Sequence, residues 1–315
     1  MRDSFGREVD YLRISITDLC NLRCIYCMPE EGVKKFSHEQ IISPERIKEI
    51  VETSVKLGIK KIRLTGGEPL SRRGLIDIIK FIKQVKDIEE ICLTTNGIGL
   101  KEKAKELKEA GVDRLNISLD TLDESKYKFI TRGGNLNDVL EGIKEAQKIG
   151  FKNTKINCVL IGGFNDDEIK KFQQFSAEFK VIVRFIELMP IGEGTTFKKK
   201  SFISNEVVLK QLPDAILDYS DGVSSYYKFK DSDARIGLIS PLSNKFCETC
   251  SRIRLTSDGK IKPCLHSKAE FDLTGLHDDD LVNKIKESIL AKPKEHYLNE
   301  EGKSNSLRGM NKIGG

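Results

Sequence analysis

The sequence predicts an α/β fold: an incomplete (β/α)6 barrel of the TIM type, followed by a smaller C-terminal region that carries cysteines. Three observations predict it. Short β-branched runs alternate with amphipathic stretches from Tyr11 to Glu187. The repeat is about 30 residues, the size of a βαβ unit. The alternation then breaks after Pro190. Eight units would occupy roughly 250 residues, so residues 9–188 make an open, partial barrel.

Strands are expected at 11–17, 61–65, 90–94, 114–119, 154–161 and 181–187, each a short run rich in Ile, Leu, Val or Thr. Amphipathic helices are expected between them, at 44–57, 75–85, 101–110, 136–149 and 166–179. Pro44 after Ser43 marks a first helical position, and Gly58, Gly111 and Gly150 mark stops. Strands joined by helices at this spacing pair in parallel through right-handed crossovers. The chain divides into the barrel at 1–190, an irregular Gly-, Lys- and Ser-rich connection at 191–235, and a C-terminal region at 236–315. That last region is expected to hold a helix near 279–290 and a loose tail.

Composition narrows the function classes. The 315 residues are 38% hydrophobic and 32% charged, with eight Cys, no Trp and a mean hydropathy of −0.35. No run approaches the ~18 consecutive apolar residues of a spanning helix. The first residues offer no apolar signal core, so a cytoplasmic chain is expected. Cytosolic chains seldom keep disulfides, so the cysteines point to metal or redox chemistry. A net charge of +5 suits a small anionic substrate and is too weak to argue for nucleic acid.

Cys20, Cys24 and Cys27 form Cys-x3-Cys-x2-Cys directly after the first strand. That end of the strands is where barrel enzymes build their active sites. Structural zinc takes four ligands, and no fourth Cys or His lies within ten residues. Three thiolates can instead hold three irons of a 4Fe–4S cubane and leave the fourth open to a ligand. With Tyr26 before the third Cys, the pattern resembles the signature of radical S-adenosylmethionine enzymes. The resemblance implies that the open iron chelates S-adenosylmethionine and that one-electron reduction yields a 5′-deoxyadenosyl radical. Thr65-Gly66-Gly67-Glu68-Pro69 resembles the same family's glycine-rich element, whose backbone approaches the cofactor closely because two residues lack Cβ. Tyr26, Gly67, Ser118 and Met189 match family positions that contact S-adenosylmethionine.

The second constellation is Cys247, Cys250 and Cys264, again three thiols. Read alone, it could be a zinc ribbon completed by His266. Between its members, Arg252 and Arg254 share one face of a short strand by period 2. The two triads together, with the Arg-x-Arg pair, resemble the GTP 3′,8-cyclase family, which opens molybdenum cofactor biosynthesis. The likeness runs from Asp3-Ser-Phe-Gly-Arg7 to the terminal Gly314-Gly315. It implies a second 4Fe–4S cluster on the C-terminal triad that binds guanine. It further implies GTP contacts from Arg13, Arg63, Thr94, Lys155, Arg252 and Arg254, five of them cations suited to a triphosphate. Catalytic roles are implied for Arg13, Gly314 and Gly315, the glycines reaching into the active site. The implied reaction removes the 3′ hydrogen of the ribose and joins C3′ to C8, giving (8S)-3′,8-cyclo-7,8-dihydroguanosine 5′-triphosphate.

Implied partners are an electron donor such as flavodoxin or ferredoxin, and a downstream cyclic pyranopterin monophosphate synthase. No nucleic acid or membrane partner is expected, and the chain is expected to be a monomer or homodimer. Small departures from the family pattern occur at Leu19, Ser251 and Asn311, none of them a ligand. Cys92 and Cys158 fall outside both triads and read as small buried hydrophobes. Two other classes fit parts of the sequence: a radical peptide-modifying enzyme, which would usually carry more C-terminal cysteines, and a non-catalytic zinc-binding interaction module.

Overall fold

The structure, a computed structural model, describes residues 1–33 and 37–314. The barrel units run β1 (Tyr11–Ser15), α1 (Pro44–Lys56), β2 (Lys61–Thr65), α2 (Leu75–Lys83), β3 (Glu90–Thr95), α3 (Leu100–Ala110) and β4 (Arg114–Ser118). They continue through α4 (Glu124–Thr131), α5 (Leu136–Lys148), β5 (Lys155–Leu160), α6 (Ile169–Glu178) and β6 (Ile182–Glu187). The punctuation acts as expected. Pro44 opens α1 behind Ser43, whose hydroxyl accepts from Arg46 N at 3.1 Å. Gly111 closes α3 in the left-handed region, with φ of 112°. The short α4 had no place in the sequence reading; Asp123 caps it by accepting from Lys126 N.

The stretch 191–235, expected to be irregular, is largely regular. It contains α7 (Glu206–Gln211), β7 (Ile216–Ser220), β8 (Ser225–Phe229) and the start of β9 (Ser232–Ile239), so the expected boundary at 235 falls inside a strand. Strand β7 is exposed along its whole length and therefore carries no apolar alternation to read. Strands β10 (Arg252–Leu255), β11 (Lys260–Lys262) and β12 (Phe271–Asp272) and helix α8 (Asp278–Leu290) complete the strands and α-helices among the described residues.

Twelve strands among the described residues form one sheet, in the order β12-β11-β10-β1-β2-β3-β4-β5-β6-β9-β8-β7. Strands β1 to β6 pair in parallel and in sequence. The C-terminal half extends both edges. Strand β10 pairs parallel with β1, and β9 pairs parallel with β6, each followed outward by antiparallel strands. The result is an α/β partial barrel whose auxiliary C-terminal strands flank it on two sides.

Period 2 sorts the strand residues. Leu12, Ile14, Ile62, Leu64, Ile91, Leu93, Leu115 and Ile117 pack with helix residues such as Ile47, Ile50 and Leu107 in one core. Each such buried side chain contributes roughly 1.5–3 kcal/mol of transfer free energy. The alternate positions, Arg13, Arg63, Thr94, Asn116, Lys155, Arg184 and Arg254, are also buried or half-buried, but polar. They make the inner face.

Candidate active site

Register brings the inner-face residues into rows. Arg254, Arg13, Arg63, Cys92 and Arg114 are successive cross-strand partners over β10, β1, β2, β3 and β4. Thr94, Asn116 and Lys155 form a second row. Ser118, Asn157, Arg184, Gly237 and Tyr226 form a third. Asn116, with its amide oxygen turned inward, accepts from both Arg63 and Arg184, and Arg184 Nη2 also donates to Asn157 Oδ1 at 2.6 Å. The Thr94 hydroxyl is buried with no hydrogen-bond partner among the described residues.

Crowding of like charge marks this floor. Burial first, then Arg254 and Arg63, holds Arg13 well below the ordinary guanidinium range. Burial and Arg252 bring Arg254 down to about 10. Burial, with Arg184 and Arg114 nearby, brings the Lys155 ammonium down to about 7. Such a surface lowers its own energy by taking up an anion. Cys92 is buried as expected, yet it lies in this polar row and accepts from Arg114 at 3.2 Å. Cys158 faces the apolar core.

Cys20, Cys24 and Cys27 lie on the loop beyond β1. The Gly66-Gly67 turn beyond β2 docks against it: Gly67 N donates to Thr17 O at 2.7 Å, and Glu68 N to Leu19 O at 2.6 Å. A Cβ on Gly67 would stand 2.1 Å from Leu19 O, so no other residue fits there. Buried Glu68 fixes the turn by accepting from Leu70 N, Thr95 Oγ1 and Asn96 N, and burial raises its carboxyl to about 7. Tyr26 donates to Asp120 Oδ2 at 2.7 Å. The turn after Met189 packs closely too, since a Cβ on Gly194 would be 2.4 Å from Met189 O and 3.8 Å from Tyr26 O. Ser118 is half-buried at the end of β4.

Burial pushes the thiols up, Cys27 to about 12, and the neighbouring cysteines and Asp120 add to it. Three such sulfurs become thiolates only beside strong positive charge. That donor set fits an iron–sulfur cluster. A cavity of about 440 Å³ opens beside Cys27, between Glu193 and the tail at Arg308 and Asn311.

At the second triad the surroundings of Cys250 change sign, while burial still raises Cys247. The buried Lys292 ammonium donates to Arg252 O at 2.7 Å and Pro263 O at 3.1 Å, and lies 3.8 Å from Cys250 Sγ. Burial alone would raise the Cys250 thiol, but Arg252 and Lys292 bring it down to about 6. Arg7 Nη1 donates to Cys247 O at 2.8 Å. His266, the candidate fourth zinc ligand, points elsewhere: its ring stacks on His296 at 4.2 Å, and Nδ1 meets Ser304 Oγ at 3.0 Å. Among the described residues no three His, Cys, Asp or Glu side chains converge on one ion. Three thiols near cations fit a net-negative cluster here as well.

The tail joins the two regions. Arg254 Nη1 donates to Ile313 O at 3.2 Å and to Gly314 O. Gly314 has φ of 69°, and a Cβ there would be 2.3 Å from Thr65 Cγ2, where the glycine turn begins. Gly315 lies outside the described residues. The structure gathers Arg13, Arg63, Thr94, Lys155 and Arg254, which the sequence singled out, on one face, and adds Asn116, Arg184, Tyr226 and Lys292, which it did not. Arg184, a lone cation inside the apolar run of β6, did offer the same signal as Lys155.

Comparisons with known proteins give the family. The Radical SAM superfamily model matches residues 14–176, and the Molybdenum Cofactor Synthesis C model matches residues 181–298. The chain is 47% identical over 320 residues to the GTP 3′,8-cyclase of Alkaliphilus oremlandii, covering 100% of both chains. It is 49% identical over 319 residues to that of Peptoclostridium acidaminophilum, covering 99% of this chain and 98% of the other. The chain belongs to the GTP 3′,8-cyclase family of the radical SAM superfamily.

Enzymes of this superfamily use iron–sulfur chemistry and S-adenosylmethionine. Among solved structures, Streptococcus suis SuiB bound to S-adenosylmethionine aligns with a TM-score of 0.63 at 16% identity, over 89% of this chain and 68% of that one. The protein anSMEcpe with bound AdoMet gives 0.63 at 17% identity, over 94% and 81%. At those identities the likeness is one of fold.

Proposed function

We propose that the chain converts GTP to (8S)-3′,8-cyclo-7,8-dihydroguanosine 5′-triphosphate, the first step of molybdenum cofactor biosynthesis, on the inner face between the two cysteine triads. The observation that carries this reading is the buried cationic floor lying between two sets of three thiols. Cys20, Cys24 and Cys27 would hold one 4Fe–4S cluster, and Cys247, Cys250 and Cys264 a second. When bound, the first cluster and S-adenosylmethionine supply a carbon radical able to take hydrogen from an unactivated C–H bond. Gly67 gives that cofactor room at the backbone, and Tyr26, Ser118 and Met189 surround the same end of the sheet. Arg13, Arg63 and Lys155 would neutralise the triphosphate, with Thr94 offering its hydroxyl. Arg252 would lie beside the second cluster, and Arg254 would anchor the tail at Ile313 and Gly314 over the substrate. The tail and the barrel walls keep water from the reacting atoms.

Flavodoxin or ferredoxin is the class of electron donor this chemistry calls for, and a cyclic pyranopterin monophosphate synthase would take the product. No helix of the described residues is long and apolar enough to cross a membrane. The test is anaerobic turnover of reconstituted protein with GTP and S-adenosylmethionine, followed by mass spectrometry. We expect GTP-dependent 5′-deoxyadenosine and a product isomeric with GTP. Release of 5′-deoxyadenosine that ignores GTP would overturn the reading. Deleting Gly314 and Gly315 should leave iron content and GTP affinity nearly unchanged and abolish the cyclised product; normal turnover would free the tail from any catalytic role.

A further inference from the structure

The hairpin β7–β8 is an edge element that the reaction chemistry does not itself require, yet it sends one side chain onto the cationic floor. Tyr226, 3% exposed, accepts from Lys155 Nζ at 2.6 Å and donates to Asp221 Oδ2 at 2.9 Å. The Lys155 ammonium and that same carboxylate oxygen are 4.0 Å apart, with the phenol hydroxyl bonded to both. Asp221 is already occupied: Oδ1 accepts from Val223 N at 3.0 Å and Ser224 N at 2.8 Å. The ring is fixed by a parallel stack on Tyr219 at 4.6 Å. Across the sheet, Gly237 leaves it space, since a Cβ there would be 3.1 Å from Tyr226 Cε1. The hairpin tip is tied down by Thr249, between Cys247 and Cys250, whose hydroxyl donates to Gly222 O.

We infer that Tyr226 is a positioning residue for the substrate polyphosphate: its hydroxyl stands between Lys155 and Asp221, aims the ammonium at the ligand, and keeps the carboxylate from capturing it. The physics is a competition for one cation. A Lys–Asp pair at contact in a partly buried site is a strong rival to an anionic ligand. A phenol that accepts from the lysine and donates to the aspartate satisfies both without cancelling the charge. The inference rests on the assignment of Lys155 to GTP in the proposed function.

The experiment measures GTP and S-adenosylmethionine affinity of the anaerobically reconstituted full chain, with melting temperature as the check on folding. Tyr226→Phe keeps the ring and its stack. It should weaken GTP about tenfold, the scale of one charge-assisted contact, and leave S-adenosylmethionine unchanged. Adding Asp221→Asn to that variant removes the rival carboxylate and should return GTP affinity to within about threefold of wild type. Asp221→Glu, with Tyr226 intact, extends the carboxylate towards Lys155 and should weaken GTP several-fold, which keeps the idea testable if the phenylalanine variant folds poorly. Unchanged GTP affinity in Tyr226→Phe or in Asp221→Glu, or a double variant as weak as the single, would overturn the inference. Lys155→Met distinguishes the underlying reading: if that variant binds GTP normally, the assignment of Lys155 to substrate fails and not merely the role of Tyr226.

Discussion

Around Cys24 and Cys27 the charges that bear on the thiols come from Asp120 and Glu193, and Glu68 acts on Cys20 against Arg23. Around Cys250 they come from Arg252 and Lys292. Cys24 and Cys27 therefore sit among carboxylates, whereas Cys250 sits among cations and Cys247 is raised by burial as the first-triad thiols are. A carboxylate-rich pocket suits a ligand that carries a sulfonium, whereas a cation-rich one suits a cluster of net negative charge next to a polyphosphate. The contrast has a backbone origin as well. The first triad is held by a glycine turn that presses on its loop, and the second by long cationic side chains that reach carbonyls from distant parts of the chain.

The largest effects should come from removing one ligand on each side. Wild-type protein reconstituted under anaerobic conditions should hold roughly eight irons per chain, and Cys24→Ala and Cys250→Ala roughly four each. The functional losses should differ. Cys24→Ala should no longer cleave S-adenosylmethionine, while Cys250→Ala should still cleave some and form no cyclised nucleotide. Iron content of Cys24→Ala equal to wild type would break the comparison at its base.

Charge is the next lever. Lys292 is 3% exposed, 3.8 Å from Cys250 Sγ, and braces the carbonyls of Arg252 and Pro263. Reduction makes a cluster more negative, so a cation at this distance favours the reduced form. Lys292→Met should lower the potential of the second cluster by roughly 60–130 mV, the equivalent of one charge-assisted contact of about 1.5–3 kcal/mol. Lys292→Arg should keep most of it, and the first cluster should not move. Potentiometric titration read by electron paramagnetic resonance separates the two clusters. A shift shared by both would mean that Lys292 supports the fold at large.

Much of this was legible in the sequence because the signals are local. Leu12 and Ile14, or Ile62 and Leu64, alternate with polar neighbours inside five-residue strands, and Ser43-Pro44 and Gly111 punctuate the helices. The first triad occupies eight residues of one loop. What stayed hidden depends on register between distant strands. Arg184 meets Tyr226 because both pair with Gly237, across β6, β9 and β8. Lys292 reaches Cys250 across 42 residues, and nothing in its own neighbourhood marks it. Strand β7 is exposed throughout, so pairing with β8, not burial, defines it. The sequence marked some of the unusual side chains, and the sheet decided which of them meet.

The smallest expected effect concerns pH, and it sets the inner face against both triads. Burial, Arg184, Arg114 and Arg63 bring the Lys155 ammonium down to about 7, with Asp221 acting the other way. Below that pH the free protein presents a charged lysine to the triphosphate. Above it, the lysine of the free protein is neutral and must take up a proton when the anion binds. GTP affinity should therefore fall as pH rises from about 6 to 8, by at most about tenfold per pH unit from this one group. The γ-phosphate of GTP titrates in a similar range and acts in the opposite direction, because its second charge strengthens binding as pH rises. Lys155→Arg isolates the protein's share: guanidinium stays charged throughout, so the variant should lose the decline and keep only the ligand's own dependence. S-adenosylmethionine affinity should not follow either curve. If wild type and Lys155→Arg give superimposable pH profiles for GTP, Lys155 is already charged at pH 8 and the crowding of cations on the inner face is weaker than its geometry implies.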